Sequence, residues 1–267
     1  GFTVAVRHVH HHVFQYLDFI GLARQGVEAS ADFALPGGRH LVMMHFPSNA
    51  HLFQRAQEGL EAERRAEVGK VIYISSGGAM YGTVAYLPMD EAHPANPVSP
   101  YALSKHTGER YVQLYGEVHG LQWTSLRYAN VYGPRQDPLG EAGVVAIFCQ
   151  NLADGVVPTI DWDGEQTRDF VYVGDCARAN LLALEGGVGQ AYNVGTGVGT
   201  SINALHRHLS AVVGQDQEPR RGPRRPGDVR HSYLDCAKIE RDLGWRPQVK
   251  LREGLERTWR HFMAMQA

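Results

Sequence analysis

Short apolar runs alternate with amphipathic stretches along the chain from residue 70 onward. The run from Lys70 to Ser75 is rich in β-branched residues and ends at Gly77-Gly78, which favours a buried strand. The pattern predicts strands near residues 70–75, 122–128, 170–173 and 192–194, and helices near residues 99–119, 141–154, 176–185, 201–213 and 251–264. Strands that alternate with helices predict an α/β fold with a mostly parallel, doubly wound sheet.

Capping residues mark the expected ends of several of these helices. Pro100 suits the first position of a helix, because its missing N–H would be unsatisfied there in any case. Gly120 is expected to stop the same helix. Asp175 and Ser201 are expected to be N-caps, since their side chains can accept hydrogen bonds from free backbone N–H groups. These capping and stop residues support the alternation of strands and helices.

The first 68 residues do not follow that pattern well. A helix is conceivable over residues 13–23, Gly37-Gly38 indicates a turn, and the charged stretch 58–67 is helical in character. No glycine-rich GxGxxG loop, which would let backbone approach a pyrophosphate, occurs anywhere in the sequence. We therefore expect the parallel sheet to be incomplete on its N-terminal side, and we expect residues 1–68 to be of doubtful structure.

Composition excludes several classes of protein. The net charge of −2 gives no basic excess of the kind that nucleic-acid binding requires. Three widely spaced cysteines favour neither a disulfide framework nor a metal site, and they suit a reducing, cytoplasmic location. Seven of the 14 histidines lie in the first 51 residues, but no acidic or cysteine residues are spaced there to complete a metal site, so none is expected. No apolar run is long enough to span a membrane.

Tyr101 and Lys105 offer the clearest candidate chemistry. Residues four apart on a helix share a face, so the phenol and the ammonium can point into one cleft. A nearby positive charge lowers the pKa of a tyrosine and brings a poor base toward working pH. A serine at the end of the preceding strand, from the pair Ser75-Ser76, could hydrogen-bond the substrate oxygen on which the tyrosine acts. The spacing alone is weak evidence, and a surface tyrosine beside a solvated lysine is the alternative.

Seven ordered motifs after residue 69 carry a family resemblance. They are Tyr73-Ile74-Ser75-Ser76-Gly77-Gly78-Ala79-Met80-Tyr81-Gly82, Ser99-Pro100-Tyr101 with Lys105, the run 126–136, the run 140–148, the run 167–171, the run 192–197 and Arg225-Pro226-Gly227-Asp228. The chain resembles the extended short-chain dehydrogenases/reductases, and within them the NAD-dependent epimerase/dehydratase family and bacterial UDP-glucose 4-epimerases. The resemblance covers about residues 69–267.

The resemblance implies a role for each matching position. Tyr101 would be the base that acts on the sugar 4-hydroxyl, Lys105 would hold the nicotinamide ribose of NAD, and Ser76 would bind the same sugar oxygen. The residues implied in catalysis are Ser76, Tyr101 and Lys105; those implied in cofactor binding are Tyr101, Lys105 and Tyr128; those implied in substrate binding are Asn130, Val144, Arg168, Arg225, Asp228 and Ser232. Arginines suit this task because a planar guanidinium binds phosphate oxygens bidentately.

Two positions discriminate within the family, and one region departs from it. The 4,6-dehydratases carry an Asp-Glu pair where Gly77-Gly78 stand, so dehydration lacks its acid and base here. Ser232 stands where glucose-restricted epimerases carry a bulky tyrosine, which would leave room for an N-acetyl group. Asp161 stands where the family often has an aromatic ring near the uracil, and Trp162 is a weak substitute.

The resemblance implies a domain division, a partner and a reaction. Residues 1–128, with about 169–187, would form a partial Rossmann-like domain, and residues 129–168 and 188–267 a smaller nucleotide-sugar-binding domain. A homodimer is expected through the helix at 99–119, which offers Leu103, Tyr111, Leu114 and Val118 at helical spacing. The implied reaction is 4-epimerisation of a UDP-hexose, as in galactose metabolism. A non-catalytic nucleotide-sugar-binding remnant and a different NAD-dependent reaction on a nucleotide sugar remain alternatives.

Overall fold

The computed structural model describes residues 29–35, 39–45, 52–139, 143–215, 217–224 and 228–266. Its strands are β1 (Ala29–Leu35), β2 (Arg39–His45), β3 (Lys70–Ser76), β4 (Trp123–Tyr128), β5 (Asn130–Tyr132), β6 (Thr159–Asp161), β7 (Thr167–Tyr172), β8 (Gln190–Val194), β9 (Gly199–Ser201), β10 (Arg220–Gly222) and β11 (His231–Ser232). Its helices are α1 (Leu52–Arg65), α2 (Gly77–Met80), α3 (Pro100–His119), α4 (Val144–Ala153), α5 (Val173–Glu185), α6 (Ile202–Val213), α7 (Ala237–Leu243) and α8 (Leu251–Gln266). The predicted α/β class with parallel strands is confirmed.

The main sheet has five strands in the order β1-β2-β3-β4-β8. The last four are mutually parallel, whereas β1 pairs antiparallel with β2. Parallel neighbours need crossover connections, and α3 and α5 lie in those that join β3 to β4 and lead on to β8. The carboxyl ends of β3 and β4 therefore meet at one edge of the sheet, which is where ligands bind in open α/β sheets.

The two faces of the main sheet are covered by different helices. One face carries Ile72 and Leu126, which pack with Cys176, Ala179 and Ala183 of α5 into an apolar cluster. Since successive strand residues point to opposite faces, the intervening residues face α3. Part of that second face is apolar, where α1 and α3 pack on β3 through the cluster Leu60, Val71, Tyr73, Val112, Tyr115 and Leu121.

Helix ends follow the predicted capping residues with one exception. The Ser99 side chain accepts a hydrogen bond from Ala102 N at 3.1 Å, and Gly120 ends α3 at φ 72°. Ser201 likewise accepts from Ala204 N at 3.1 Å. The prediction that Asp175 caps a helix is wrong, because α5 begins earlier, at Val173.

Asp175 instead fixes the segment that leads to α8. Its buried carboxylate accepts hydrogen bonds from Gln248 N at 3.1 Å and from Val249 N at 3.0 Å, and its carbonyl accepts from Trp245 Nε1. Asp175 therefore binds N–H groups of the segment 245–249, while its carboxylate also forms an ion pair with Arg178 of its own helix at 3.1 Å.

A second sheet is formed by β5, β7, β9 and β11. β7 is its centre and pairs with β5 and β11 in parallel and with β9 antiparallel. Buried Asp169 of β7 joins this sheet to the end of β8, because its carboxylate accepts from Thr196 N at 2.8 Å, Gly197 N at 3.0 Å and Leu234 N at 3.3 Å. α4, α6 and α8 pack around a further apolar cluster beside this sheet.

Strand pairing departs from the expected domain division at two places. Residues 190–194 were assigned to the substrate domain, yet β8 pairs with β4 in the main sheet. Residues 169–172 were assigned to the Rossmann-like domain, yet β7 belongs to the second sheet. Hydrogen bonds between strands far apart in sequence decide both cases. The division into two domains otherwise stays a prediction.

The segment before residue 68 is more regular than its sequence pattern indicated. β2 extends the parallel sheet beside β3, and α1 packs on α3. The expected helix at 13–23, the turn at Gly37-Gly38 and five of the seven N-terminal histidines lie outside the described residues, whereas His40 and His45 belong to β2. The expectation that the sheet is incomplete also concerns that undescribed part and stays a prediction.

Neither a metal cluster nor a membrane span was expected. Within the described ranges, no group of three or more histidine, cysteine or acidic side chains is placed to hold a metal ion. Across the same part of the chain, none of the helices has both the length and the apolar character needed to cross a bilayer.

Candidate active site

Tyr101 and Lys105 lie where α3 starts, beside the end of β3. Pro100 opens the helix, so Tyr101 belongs to its first turn and is half-buried. Lys105 follows one turn later, and its Nζ lies 5.8 Å from the centre of the Tyr101 ring. The helical spacing predicted from the sequence thus places the phenol and the ammonium side by side.

Lys105 is held in place by β3. Its side chain is 2% exposed, and Nζ donates a hydrogen bond to Ile74 O at 3.0 Å. Tyr73 Oη in turn donates to Lys105 O at 3.1 Å. Burial raises the pKa of Tyr73 well above its ordinary value, with a further rise from Glu109 and Tyr101, so Tyr73 stays a neutral donor. A buried ammonium fixed to the end of a strand supplies a positive charge with a defined position.

Ser76 and Ser75 differ in what their hydroxyls do. Ser75 is buried and directs its Oγ to Met80 Sδ at 3.7 Å. Ser76 ends β3, is half-buried, and makes no side-chain capping bond to α2. This difference supports the expectation that Ser76, rather than Ser75, binds substrate.

The two glycines after Ser76 lie against other elements. A Cβ at Gly77 would come within 2.9 Å of the Leu234 side chain and 3.1 Å of Arg127 O. A Cβ at Gly78 would lie 3.5 Å from Asn130 Oδ1. An acidic side chain at position 77 would therefore force a shift, and the amide of Asn130 comes to the same end of the sheet as Ser76.

Arg168 and Asp228 meet in the second sheet. Arg168 lies on β7, and its guanidinium forms an ion pair with the Asp228 carboxylate. Its other amino group donates to Thr167 O and Val229 O, both at 2.8 Å. Burial lowers the pKa of Arg168, while Asp228 opposes that shift. Ser232 is buried and lies beside Arg168 in the parallel pairing of β11 with β7. Three predicted substrate-binding positions thus come together.

The remaining predicted site residues lie in different environments. Val144 is the first residue of α4 after Gly143 and is half-buried, at the helix end whose free N–H groups favour anions. Tyr128 is buried on the α5 side of β4, and Asn180 Nδ2 donates to its hydroxyl. That contact stabilises the core, so a cofactor role for Tyr128 stays a prediction. Arg225 lies outside the described residues.

The model of the NAD dependent epimerase/dehydratase family matches residues 50–195. The chain belongs to this family.

Individual relatives agree with that assignment. A putative UDP-glucose 4-epimerase of Methanocaldococcus jannaschii is 48% identical over 199 residues, a match that spans 74% of this chain and 65% of the relative. A UDP-glucose 4-epimerase of Mycolicibacterium smegmatis is 48% identical over 203 residues, or 76% of this chain and 65% of the relative. The chain thus covers slightly less than two thirds of either protein.

A solved structure supports the fold. The UDP-glucose 4-epimerase of Thermotoga maritima, crystallised with UDP-glucose, superimposes with a TM-score of 0.78 at 42% identity. The match covers 85% of this chain and 78% of that one. The extended short-chain dehydrogenase/reductase architecture expected from the motifs is therefore confirmed.

Sequence reasoning missed a polar network beneath this family's Tyr-Lys pair. Glu109 and Arg127 form an ion pair at 2.5 Å, with side chains 2% and 11% exposed. Ser125 Oγ donates to Glu109 at 2.7 Å, and Arg127 donates to Tyr81 Oη at 2.9 Å. Tyr81 Oη then donates to Asn193 Oδ1 at 2.8 Å. The available signal was the position of Glu109, four residues after Lys105 on the same helical face.

Trp162 lies against two arginine side chains. The guanidinium carbons of Arg224 and Arg230 lie 4.3 and 4.5 Å from its ring centre. Cation–π contacts of this kind stabilise an exposed segment. Trp162 in place of the expected aromatic at Asp161 therefore stays a prediction.

Proposed function

We propose that this chain catalyses NAD-dependent 4-epimerisation of a UDP-hexose through a 4-keto intermediate. The observation that carries the proposal is the Tyr101–Lys105 pair, with Lys105 fixed to Ile74 O just before Ser76. The family and its UDP-glucose 4-epimerase members support the reaction class. Gly77, whose position has little room for a side chain, argues against the acid–base pair of the dehydratases.

The residues present suit the nicotinamide ribose of NAD. A ribose hydroxyl accepts from a fixed ammonium and exchanges a hydrogen bond with a phenol, and Lys105 and Tyr101 supply these groups. Another family member, from Thermus thermophilus, was crystallised with NAD. When bound, NAD would supply the acceptor and donor of the two electrons of the C4–H bond. The sequence shows no GxGxxG loop for the pyrophosphate, so the strength of NAD binding is the first quantity to measure.

Tyr101 does the acid–base work in this proposal. As phenolate it removes the proton of the sugar 4-hydroxyl. It returns that proton to the same oxygen after the 4-keto sugar has rotated to present its other face. Lys105 favours the phenolate through its positive charge. Ser76 donates a hydrogen bond to the same oxygen and keeps it within reach. The proton thus moves between two oxygens and is conserved over the cycle.

The second sheet would hold the nucleotide. Arg168 and Asp228 place a guanidinium and a carboxylate together, which suits a phosphate beside a ribose. Asn130 and the start of α4 at Val144 add an amide and free N–H groups for phosphate oxygens. Arg225 belongs to the same proposed set by its motif alone.

Ser232 would set the width of the sugar pocket. Its buried side chain is small, and its neighbour across β11 and β7 is Arg168. We propose that the pocket admits an N-acetyl group at C2 of the hexose. Ser232→Tyr should then reduce turnover of a UDP-N-acetylhexosamine far more than that of a UDP-hexose, whereas equal loss on both would contradict this assignment.

The direct test of the function uses the full chain with UDP-galactose. The protein is incubated with and without added NAD, the products are separated by chromatography, and NAD released by denaturation is quantified. We expect UDP-glucose to accumulate with no net change in NAD. Binding of UDP-galactose without conversion, at saturating NAD, would instead support a non-catalytic nucleotide-sugar-binding protein. A different product would indicate another reaction on the same scaffold.

We also propose a homodimer through the outer face of α3. Leu103, Leu114 and Val118 are 52%, 48% and 62% exposed there. Tyr111, which was expected on the same face, packs against the inner cluster with Val112. A monomeric mass by light scattering at micromolar concentration would contradict the dimer.

A further inference from the structure

Two charged side chains meet in the interior between α3 and β4. Glu109 and Arg127 are 2.5 Å apart, with side chains 2% and 11% exposed. Burial lowers the pKa of Arg127, but hydrogen bonds and charge from Glu109 outweigh that effect and raise it, so the guanidinium stays charged. Taking two ions out of water is costly unless each is paired and hydrogen-bonded. Such a pair therefore adds little to the stability of the fold. It suits a role in fixing the position of α3 relative to β4.

The hydrogen bonds around the pair reach separate elements of the fold. Glu109 belongs to α3 and accepts from Ser125 of β4 at 2.7 Å as well as from Arg127. Arg127 also donates to Tyr81, which follows α2, at 2.9 Å, and to Glu91 O at 3.1 Å. One network therefore ties α3 to β4 and to the segment that follows Ser76 and α2.

Glu109 lies on the same face of α3 as the proposed reactive pair. Tyr101, Lys105 and Glu109 are spaced four residues apart, so they line one face of the helix. At 1.5 Å per residue, Glu109 stands about 12 Å along the axis from Tyr101. A rotation or slide of α3 at Glu109 would therefore be transmitted to Lys105 and Tyr101. Lys105 itself is held to β3 through Ile74 O and Tyr73 Oη.

We propose that the buried Glu109–Arg127 ion pair is a positioning device that fixes α3 on the sheet so that Lys105 and Tyr101 face the cleft. This proposal deepens the proposed function and rests on it, because only catalysis by Tyr101 and Lys105 requires these side chains to face the cleft. Neither residue touches the reacting atoms, so both act through the position of the helix.

The test uses the four lysines of the chain as reporters. Lys105 and Lys70 are buried, and Lys250 is exposed. Acetylation of each lysine by acetic anhydride is followed over time by mass spectrometry in the full chain and in Glu109→Gln. The variant keeps the shape of the side chain and removes its charge. Glu253→Gln, which removes an exposed ion pair with Arg257 on α8, is the matched control.

Displacement of α3 and general destabilisation give different labelling patterns. We expect Lys105 to label about tenfold faster or more relative to Lys250 in Glu109→Gln, with Lys70 unchanged, because removing one partner of a buried ion pair strongly disturbs its surroundings. Equal acceleration at Lys70 and Lys105 would overturn the proposal, since the pair would then only stabilise the fold. Unchanged labelling at Lys105 would overturn it as well. The control should match the parent chain.

Kinetics separate this proposal from the proposed function. If the parent chain epimerises UDP-galactose, Glu109→Gln should lower kcat by about 10²-fold with KM within about threefold, because small misplacements of catalytic groups are costly. An unchanged kcat would overturn the positioning role even in an active enzyme. If the parent chain does not turn over the sugar, the proposed function fails, and the labelling result still decides whether the pair fixes α3.

Discussion

The two faces of the main sheet are built from different chemistry. Toward α5, Ile72 and Leu126 pack with small α5 residues in a cluster that is almost wholly apolar. Toward α3, the strands present Ser125, Arg127 and Asn193, which form one hydrogen-bonded network with Glu109. Apolar burial stabilises a fold without fixing direction, whereas buried polar networks fix the positions of their members. The α5 face thus supports the sheet, and the α3 face places the candidate reactive groups.

Neighbouring residues of β4 offer the sharpest test of that contrast. Leu126 is fully buried on the α5 face, and Leu126→Ala should lower the free energy of unfolding by about 2–5 kcal/mol. Ser125 points to Glu109, so Ser125→Ala should cost only about 1–2 kcal/mol through one lost hydrogen bond. Urea unfolding measures both. An equal loss in the two variants would remove the distinction between the faces.

A polar group outside the main sheet tests whether buried hydrogen bonds also hold the two sheets together. Asp169 accepts from Thr196 N, Gly197 N and Leu234 N. Asp169→Asn directs an NH₂ group at these donors and should cost about 1–3 kcal/mol. Asp154→Asn, at an exposed position, is the control. If both variants unfold at the same urea concentration as the parent, this contact does not join the sheets.

Lys70 places a charge on the α5 face of the main sheet. Its effect on the stability of the fold should be small and should depend on pH. Its Nζ donates to Ala183 O and Gly186 O at the end of α5, both at 2.6 Å. Burial lowers the pKa of Lys70 from 10.5 to about 8. Below pH 8 the lysine is charged in both the folded and the unfolded state, so the cost of burying the charge is fully present. Between about pH 8 and 10.5 only the unfolded state keeps the proton, so stability should rise with pH.

Lys70→Met isolates this effect because methionine does not titrate. The melting temperature of the parent minus that of the variant should increase from pH 8 to pH 10. A difference that stays flat, or that falls over this range, would contradict the depressed pKa.

Local patterns predicted much of this fold, and long-range contacts account for what they missed. The strand at 70–76 and the helix at 100–119 follow from a β-branched run, from Pro100 at the helix start and from Gly120 at its end, which are local features. β2 was missed because its run of mixed residues has no strand periodicity. Asp175 was misread because the backbone groups that it binds lie 73 and 74 residues away.

The candidate site divides in the same way. The spacing of Tyr101 and Lys105 on one helix predicted their proximity. The position of Glu109 on the helical face of Lys105 was a local signal, but its partner Arg127 lies on a strand 18 residues away, and no local pattern indicates that pairing. The meeting of Arg168 with Asp228 was not foreseen, because each was assigned its role separately through the family resemblance.

Turnover of Tyr101→Phe is the measurement that tests most directly whether the α3 face carries the chemistry. The substitution removes one oxygen and keeps the ring, so the melting temperature should barely change. Epimerisation of UDP-galactose at saturating NAD should fall by about 10²–10⁴-fold, the usual contribution of general acid–base catalysis. Parent-like epimerisation by folded Tyr101→Phe would contradict the account.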